Sequence, residues 1–99
     1  MIKHVVLFQL NPEVPEIARQ EIANTFKSRI EELPQQIPCI QHIEVGLNVN
    51  PEELWDICLV SEFDTMEDLH SYAVHPAHCK VASMIRPYVK GRSCVDYAF

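Results

Sequence analysis

Ninety-nine residues, 47% apolar and 22% charged, are enough for one hydrophobic core and too apolar to stay disordered, so a single domain over 1–99 is expected. The net charge is −6 and the eight Lys and Arg are spread singly, which excludes the clustered basic surface that a phosphate backbone requires, and with it nucleic acid as a partner. The four cysteines stand apart with no C-x-x-C pair, which excludes a disulfide framework or zinc knuckle and leaves them as small buried apolar residues.

The opening MIKHVVLFQL has a single Lys, an apolar run broken by His4 and Gln9, and no small-residue cleavage site, so it does not read as a secretory leader. No run approaches the ~18 apolar residues of a membrane span, and a cytoplasmic location is expected. Ile2 to Leu10 alternates as a strand, with His4, Val6, Phe8 and Leu10 on one face and Lys3, Val5, Leu7 and Gln9 on the other. From Pro15 to Leu33 the apolar set Ile17, Ile22, Phe26, Ile30 and Leu33 recurs at helical spacing, and Pro34 and Pro38 close the helix. Ile40 to Asn48 reads as a second strand, a polar Asn-rich connection follows, and Leu54 to Phe63 reads as a third. Thr65 with Glu67 and Asp68 marks the start of a second helix, Met66 to Val74, which Pro76 interrupts. A further helical run extends from Ala77 to Tyr88, and Gly91 releases the chain into a last strand, Ser93 to Phe99.

This order predicts an α+β, ferredoxin-like βαββαβ arrangement with a four-stranded antiparallel sheet and its helices on one face. The first strand is apolar on both sides, so the other sheet face needs a cover, and an isologous homodimer through that face is the simplest closed solution. Trp55, Phe8, Phe26 and Phe63 read as core and interface, and Glu44 and Asp56 as carboxylates on wet strand edges.

The chemistry-bearing stretch is Tyr72-Ala-Val-His75-Pro-Ala-His78. A residue before proline is extended and proline favours the first helical turn, so His75 becomes a boundary residue and His78 lies in the first turn. There the helix dipole disfavours imidazolium, leaving a neutral ring able to act as a general base. Tyr72, brought back by the break at Pro76, is placed to donate its phenol proton to a carbonyl or enolate oxygen. The same residues also fit a structural reading, with the histidines as helix caps and Tyr72 as packing. His4 and Asp96 fall opposite each other on the first and last strands, where a carboxylate fixes an imidazole tautomer; nothing in the sequence requires the pair to face a cavity. His4, His75 and Asp96 are the candidate substrate-binding residues. No metal is expected, since His75 and His78 sit three apart across a helix boundary and His42, His70 and Cys79 lack supporting spacing.

As a set, KHVVLFQL, IQHIEVGLN, FDTMEDLHSYAVHPAH and CVDYAF resemble the stress-responsive α/β-barrel (Dabb) domain family over essentially the whole chain. The resemblance implies a ferredoxin-like monomer that pairs sheet to sheet into a dimeric α+β barrel, with a small cavity between sheet and helices. One plant member of the family carries out a cofactor-free aldol cyclisation of a linear polyketide with a tyrosine and a histidine matching Tyr72 and His78. Its third-strand histidine near the pocket aligns with Ile57, so a pocket of different polarity is expected and the polyketide substrate is not carried over. The expected function is a stress-responsive protein that acts as a cofactor-free cyclase, isomerase or lyase on a small hydrophobic carbonyl compound. The alternatives are a non-catalytic stress-associated or ligand-binding dimer and a cofactor-free monooxygenase of the same superfamily.

Overall fold

The structure is a computed structural model describing residues 1–99. Its elements in chain order are β1 Ile2–Leu10, α1 Glu16–Glu31, β2 His42–Leu47, β3 Ile57–Phe63, α2 Met66–Val74, α3 Pro76–Ile85 and β4 Val89–Ala98, with 3-10 turns at Leu33–Gln35 and Arg86–Tyr88. The sheet is antiparallel in the order β2-β3-β1-β4, the expected ferredoxin-like topology with its second helix broken in two.

The period-two pattern of β1 sends Val6, Phe8 and Leu10 under the helices, where Val6 and Leu10 are buried. They meet Ala23, Phe26 and Ile30 from α1, Leu69 and Tyr72 from α2, and Val81 and Ile85 from α3 in one core. Ile17, assigned to the buried stripe by spacing, is 73% exposed, because at about 100° per residue it lies on the opposite side of α1 from the buried Phe26. Thr65 caps α2 by accepting the Asp68 N–H, as the sequence signal predicts.

Three boundaries move, each because pairing decides it. β3 begins at Ile57, since β2 ends opposite it at Leu47 and leaves Leu54 and Trp55 in the connection. β2 begins at His42, because Ile40 turns into the core. β4 begins at Val89 rather than Ser93: β1 is long enough to pair with it throughout, so Gly91 lies inside the ladder opposite Gln9, against the Trp55 ring. The helix expected to reach Tyr88 stops at Ile85, where Pro87 follows and a 3-10 turn takes over. None of the cysteines is buried: Cys39 and Cys58 are half-buried and Cys79 and Cys94 exposed. Cys58 lies on the sheet face away from the helices, and Cys94 on an edge strand that the helices do not cover. Asp56 lies just before β3 and accepts the Leu10 N–H at 2.7 Å, a structural tie rather than a wet-edge carboxylate.

On the open face Val5 lies between Val60 and Val95, and Leu7 beside Cys58, an apolar row three strands wide. No helix is long and apolar enough to cross a membrane.

Candidate active site

Beneath the helices, between β1 and β4 on one side and α2 and α3 on the other, lies a cavity of about 290 Å³. Tyr72 and His78 form part of its wall with His4; Val6, Phe8, Phe26 and Leu59 supply an apolar floor. Two histidines and a phenol on a mainly apolar wall fit the general pattern of a small-molecule site.

The break at Pro76 creates this grouping. His75 has the extended backbone (φ −63°, ψ 135°) that a residue before proline must adopt, and it caps both helices. Its Nδ1 accepts the Ala77 N–H at 3.0 Å, which starts α3. The bend carries His78 back over the end of α2, with ring centroids of Tyr72 and His78 4.4 Å apart. His78 Nδ1 lies 2.9 Å from the Ala73 carbonyl oxygen. A carbonyl oxygen only accepts, so at this distance the ring presents an N–H: the proton sits on Nδ1 and the lone pair on Nε2. Burial pushes the His78 pKa below the ordinary histidine value; the Ala73 hydrogen bond opposes this, and charge on His4, Arg92 and His75 adds to it. The neutrality expected from the helix dipole is present with a different main cause, desolvation.

Tyr72 is 1% exposed, and its ring also packs against Phe63 at 5.1 Å. Its hydroxyl is closed to solvent and has no hydrogen-bond partner within the protein. Burial raises its pKa well above the ordinary tyrosine value, so the phenol stays protonated. A buried unpaired hydroxyl costs about 1–3 kcal/mol, which sets Tyr72 apart from an ordinary packing residue.

His4 lines the cavity with its ring 6.4 Å from that of Tyr72. Asp96 stands opposite it in the β1–β4 ladder and binds His4 Nδ1, so it lies behind the imidazole rather than on the cavity wall. Of the two residues, the structure brings His4 to the cavity and leaves Asp96 off its wall. His75 is likewise off the cavity wall, its ring committed to the Ala77 amide. Ile57 is buried in the core away from this cavity, so its identity does not set the cavity's polarity.

Several residues at the site carry no motif. Cys94 Sγ lies 3.6 Å from both His4 Nδ1 and the Asp96 carboxylate, and these three donors are the group that could hold a cation, in place of the His75–His78 pair. Burial, then Asp96, raises the Cys94 pKa and disfavours the thiolate such a ligand needs. Arg86 and Arg92 complete the cavity wall. Ser61, opposite His4 on β3, is fully buried with its hydroxyl unpaired. The β4 residues could have been found by carrying the ladder outward from His4–Asp96, since Cys94 and Arg92 follow at period two. Arg86 and Ser61 have no such signal.

Residues 2–99 match the Stress Responsive A/B Barrel Domain (Dabb). The chain is 24% identical to olivetolic acid cyclase of Cannabis sativa, over 97% of this chain and 94% of that protein. Among solved structures it is similar to a dimeric protein of unknown function and ferredoxin-like fold from Bacteroides fragilis, with 46% identity and a TM-score of 0.97 over 99% of this chain and 95% of that one. A hydroxynitrile lyase from Passiflora edulis shares the fold, with a TM-score of 0.80 at 13% identity over 99% and 92% of the two chains.

Proposed function

This chain belongs to the stress-responsive A/B barrel (Dabb) domain family, and we propose that it is a cofactor-free proton-transfer enzyme acting on a small hydrophobic carbonyl compound. The observation that carries this reading is that Tyr72, with its hydroxyl buried and unpaired, packs ring to ring against a neutral His78 on the wall of one cavity. His78 Nε2 takes a proton from the carbon next to the carbonyl. The C–H electron pair moves into the carbonyl, and the resulting oxyanion accepts a hydrogen bond from the Tyr72 phenol. The proton on Nε2 then returns to a different carbon in an isomerisation, to the new alkoxide in an aldol cyclisation, or to the leaving fragment in a lyase step. Because the hydroxyl is closed to a water-sized sphere, substrate reaches it only when the cavity wall moves.

His4, oriented by Asp96, helps bind the carbonyl end of the substrate, and the apolar floor holds the remainder. The name of one similar protein, a cyclase, supports this class of chemistry. The open row of Val5, Val60 and Val95, together with a dimeric relative, supports a homodimer through the sheet face.

The test is exchange of α-protons for deuterium in D₂O, followed by NMR on a small aryl ketone. His78→Ala should slow exchange by about 10²–10⁴, and Tyr72→Phe by about 10²–10³. Exchange at the same rate in both variants would leave a non-catalytic binding dimer as the reading.

A further inference from the structure

The cavity carries fixed positive charge in an acidic protein. Against a net charge of −6, its wall holds two arginines, Arg86 and Arg92, and no carboxylate. Arg86 opens the turn after α3, and Arg92 stands on β4 opposite Phe8; both are exposed and therefore lie at the rim. Neither guanidinium is within salt-bridge distance of an Asp or Glu, since the ion pairs of this chain are His4–Asp96 and Lys27–Glu31. Asp96, the one carboxylate of β4, lies off the cavity wall and is already bound to His4. Two unpaired arginines bordering an apolar cavity are a ready partner for one anionic group on an otherwise apolar molecule.

We propose that Arg86 and Arg92 form a carboxylate subsite at the cavity rim, so that the ligand is a hydrophobic keto acid rather than a neutral ketone. The proposal rests on reading this cavity as the substrate site. The carboxylate sits between the guanidinium groups at the rim, the apolar body lies on Phe8, Phe26 and Leu59, and the ketone oxygen points inward to Tyr72. At about 290 Å³ the cavity falls just below the ~300–1,000 Å³ of drug-sized sites, which suits a compact acid. Arg92 has a second effect: its charge helps hold His78 neutral, and a bound carboxylate offsets that charge as the ligand docks.

The test compares 4-oxo-4-phenylbutanoate with its methyl ester by isothermal titration calorimetry at low salt. The acid should bind more tightly than the ester by at least tenfold, a preference that shrinks in high salt. Arg92→Gln and Arg86→Gln should each weaken acid binding by about tenfold and leave ester binding unchanged, while Arg92→Lys retains part of the preference. Both arginines are exposed, and unchanged melting temperatures would confirm that the variants fold. Equal binding of acid and ester, absence of binding by both, or an acid preference that survives the double Gln variant would each overturn the subsite. Deuterium exchange on the same two compounds separates this proposal from the chemistry. Acid preference without exchange leaves the subsite standing and removes the proton-transfer reading. Exchange of both compounds with equal binding does the reverse.

Discussion

Replacing Tyr72 with Phe should stabilise the protein while disabling it. The ring's packing against Phe63 and His78 is unchanged by the substitution, and the only atom removed is a hydroxyl with no partner in the protein. Leaving such a group unpaired costs about 1–3 kcal/mol, so its removal returns about 1 kcal/mol at the low end of that range. For a domain of this size that corresponds to a rise in melting temperature of about 4–8 °C. Calorimetry on wild type and Tyr72→Phe, at equal protein concentration because a dimer's melting point depends on it, measures the shift directly. Ser61→Ala is the internal comparison, since Ser61 is as buried, equally unpaired and absent from the cavity wall. It should stabilise by a similar amount and leave α-proton exchange intact. A fall of several degrees in Tyr72→Phe would refute the reasoning, because it would mean that the hydroxyl has a stabilising partner and Tyr72 is a structural residue.

Two further outcomes follow from the same geometry. The folded-state pKa of His78 lies below its ordinary value, so its contribution to stability is complete above about pH 6.5 and is lost as pH falls through the folded value. Urea unfolding between pH 8 and 5 should show a loss of stability on acidification that is smaller in His78→Gln; equal slopes in the two proteins would contradict the burial of a neutral ring. Val95→Asp places a carboxylate in the apolar row on the open sheet face, where Val95 is 61% exposed in the single chain. An unpaired charge in each copy at a two-fold interface should weaken dimerisation by at least about a hundredfold in sedimentation equilibrium, and unchanged association would place the interface elsewhere.

The sheet order and the grouping of Tyr72 with His78 were legible for a simple reason. Period-two alternation in β1 and the Thr65 and Pro76 punctuation are local signals, and local signals survive folding here. What was not legible depended on partners distant in sequence. Gly91 has the local character of a breaker yet pairs with Gln9 because β1 offers it a ladder. His75 and Asp96 have side chains suited to binding substrate, but the first is satisfied by the Ala77 amide and the second by His4. In each case a hydrogen bond, not residue type, decides whether a polar group is available for chemistry. By the same criterion Tyr72 stands out on the cavity wall, because its buried hydroxyl has no such bond.

β1 joins the cavity to the open sheet face, the two surfaces for which a function is proposed. Its even residues, His4, Val6 and Phe8, face the cavity, and its odd residues, Val5 and Leu7, face the open side. A slip of one residue would exchange the two sets, so the register that β3 and β4 impose fixes both at once. β4 is the exposed edge, and its helix-facing residues Arg92, Cys94 and Asp96 sit at the rim because no helix lies over them. The strand least covered by the fold therefore supplies both the carboxylate bound to His4 and a guanidinium with no carboxylate partner, the latter where a ligand can reach it without a buried charge having to be stabilised in its absence. The deeper residues, Tyr72 and His78, are held neutral by burial. Charge at the rim and neutrality at depth together favour a ligand with an anionic end and an apolar body, whose reactive carbonyl is carried to the one buried hydroxyl on the cavity wall that lacks a partner.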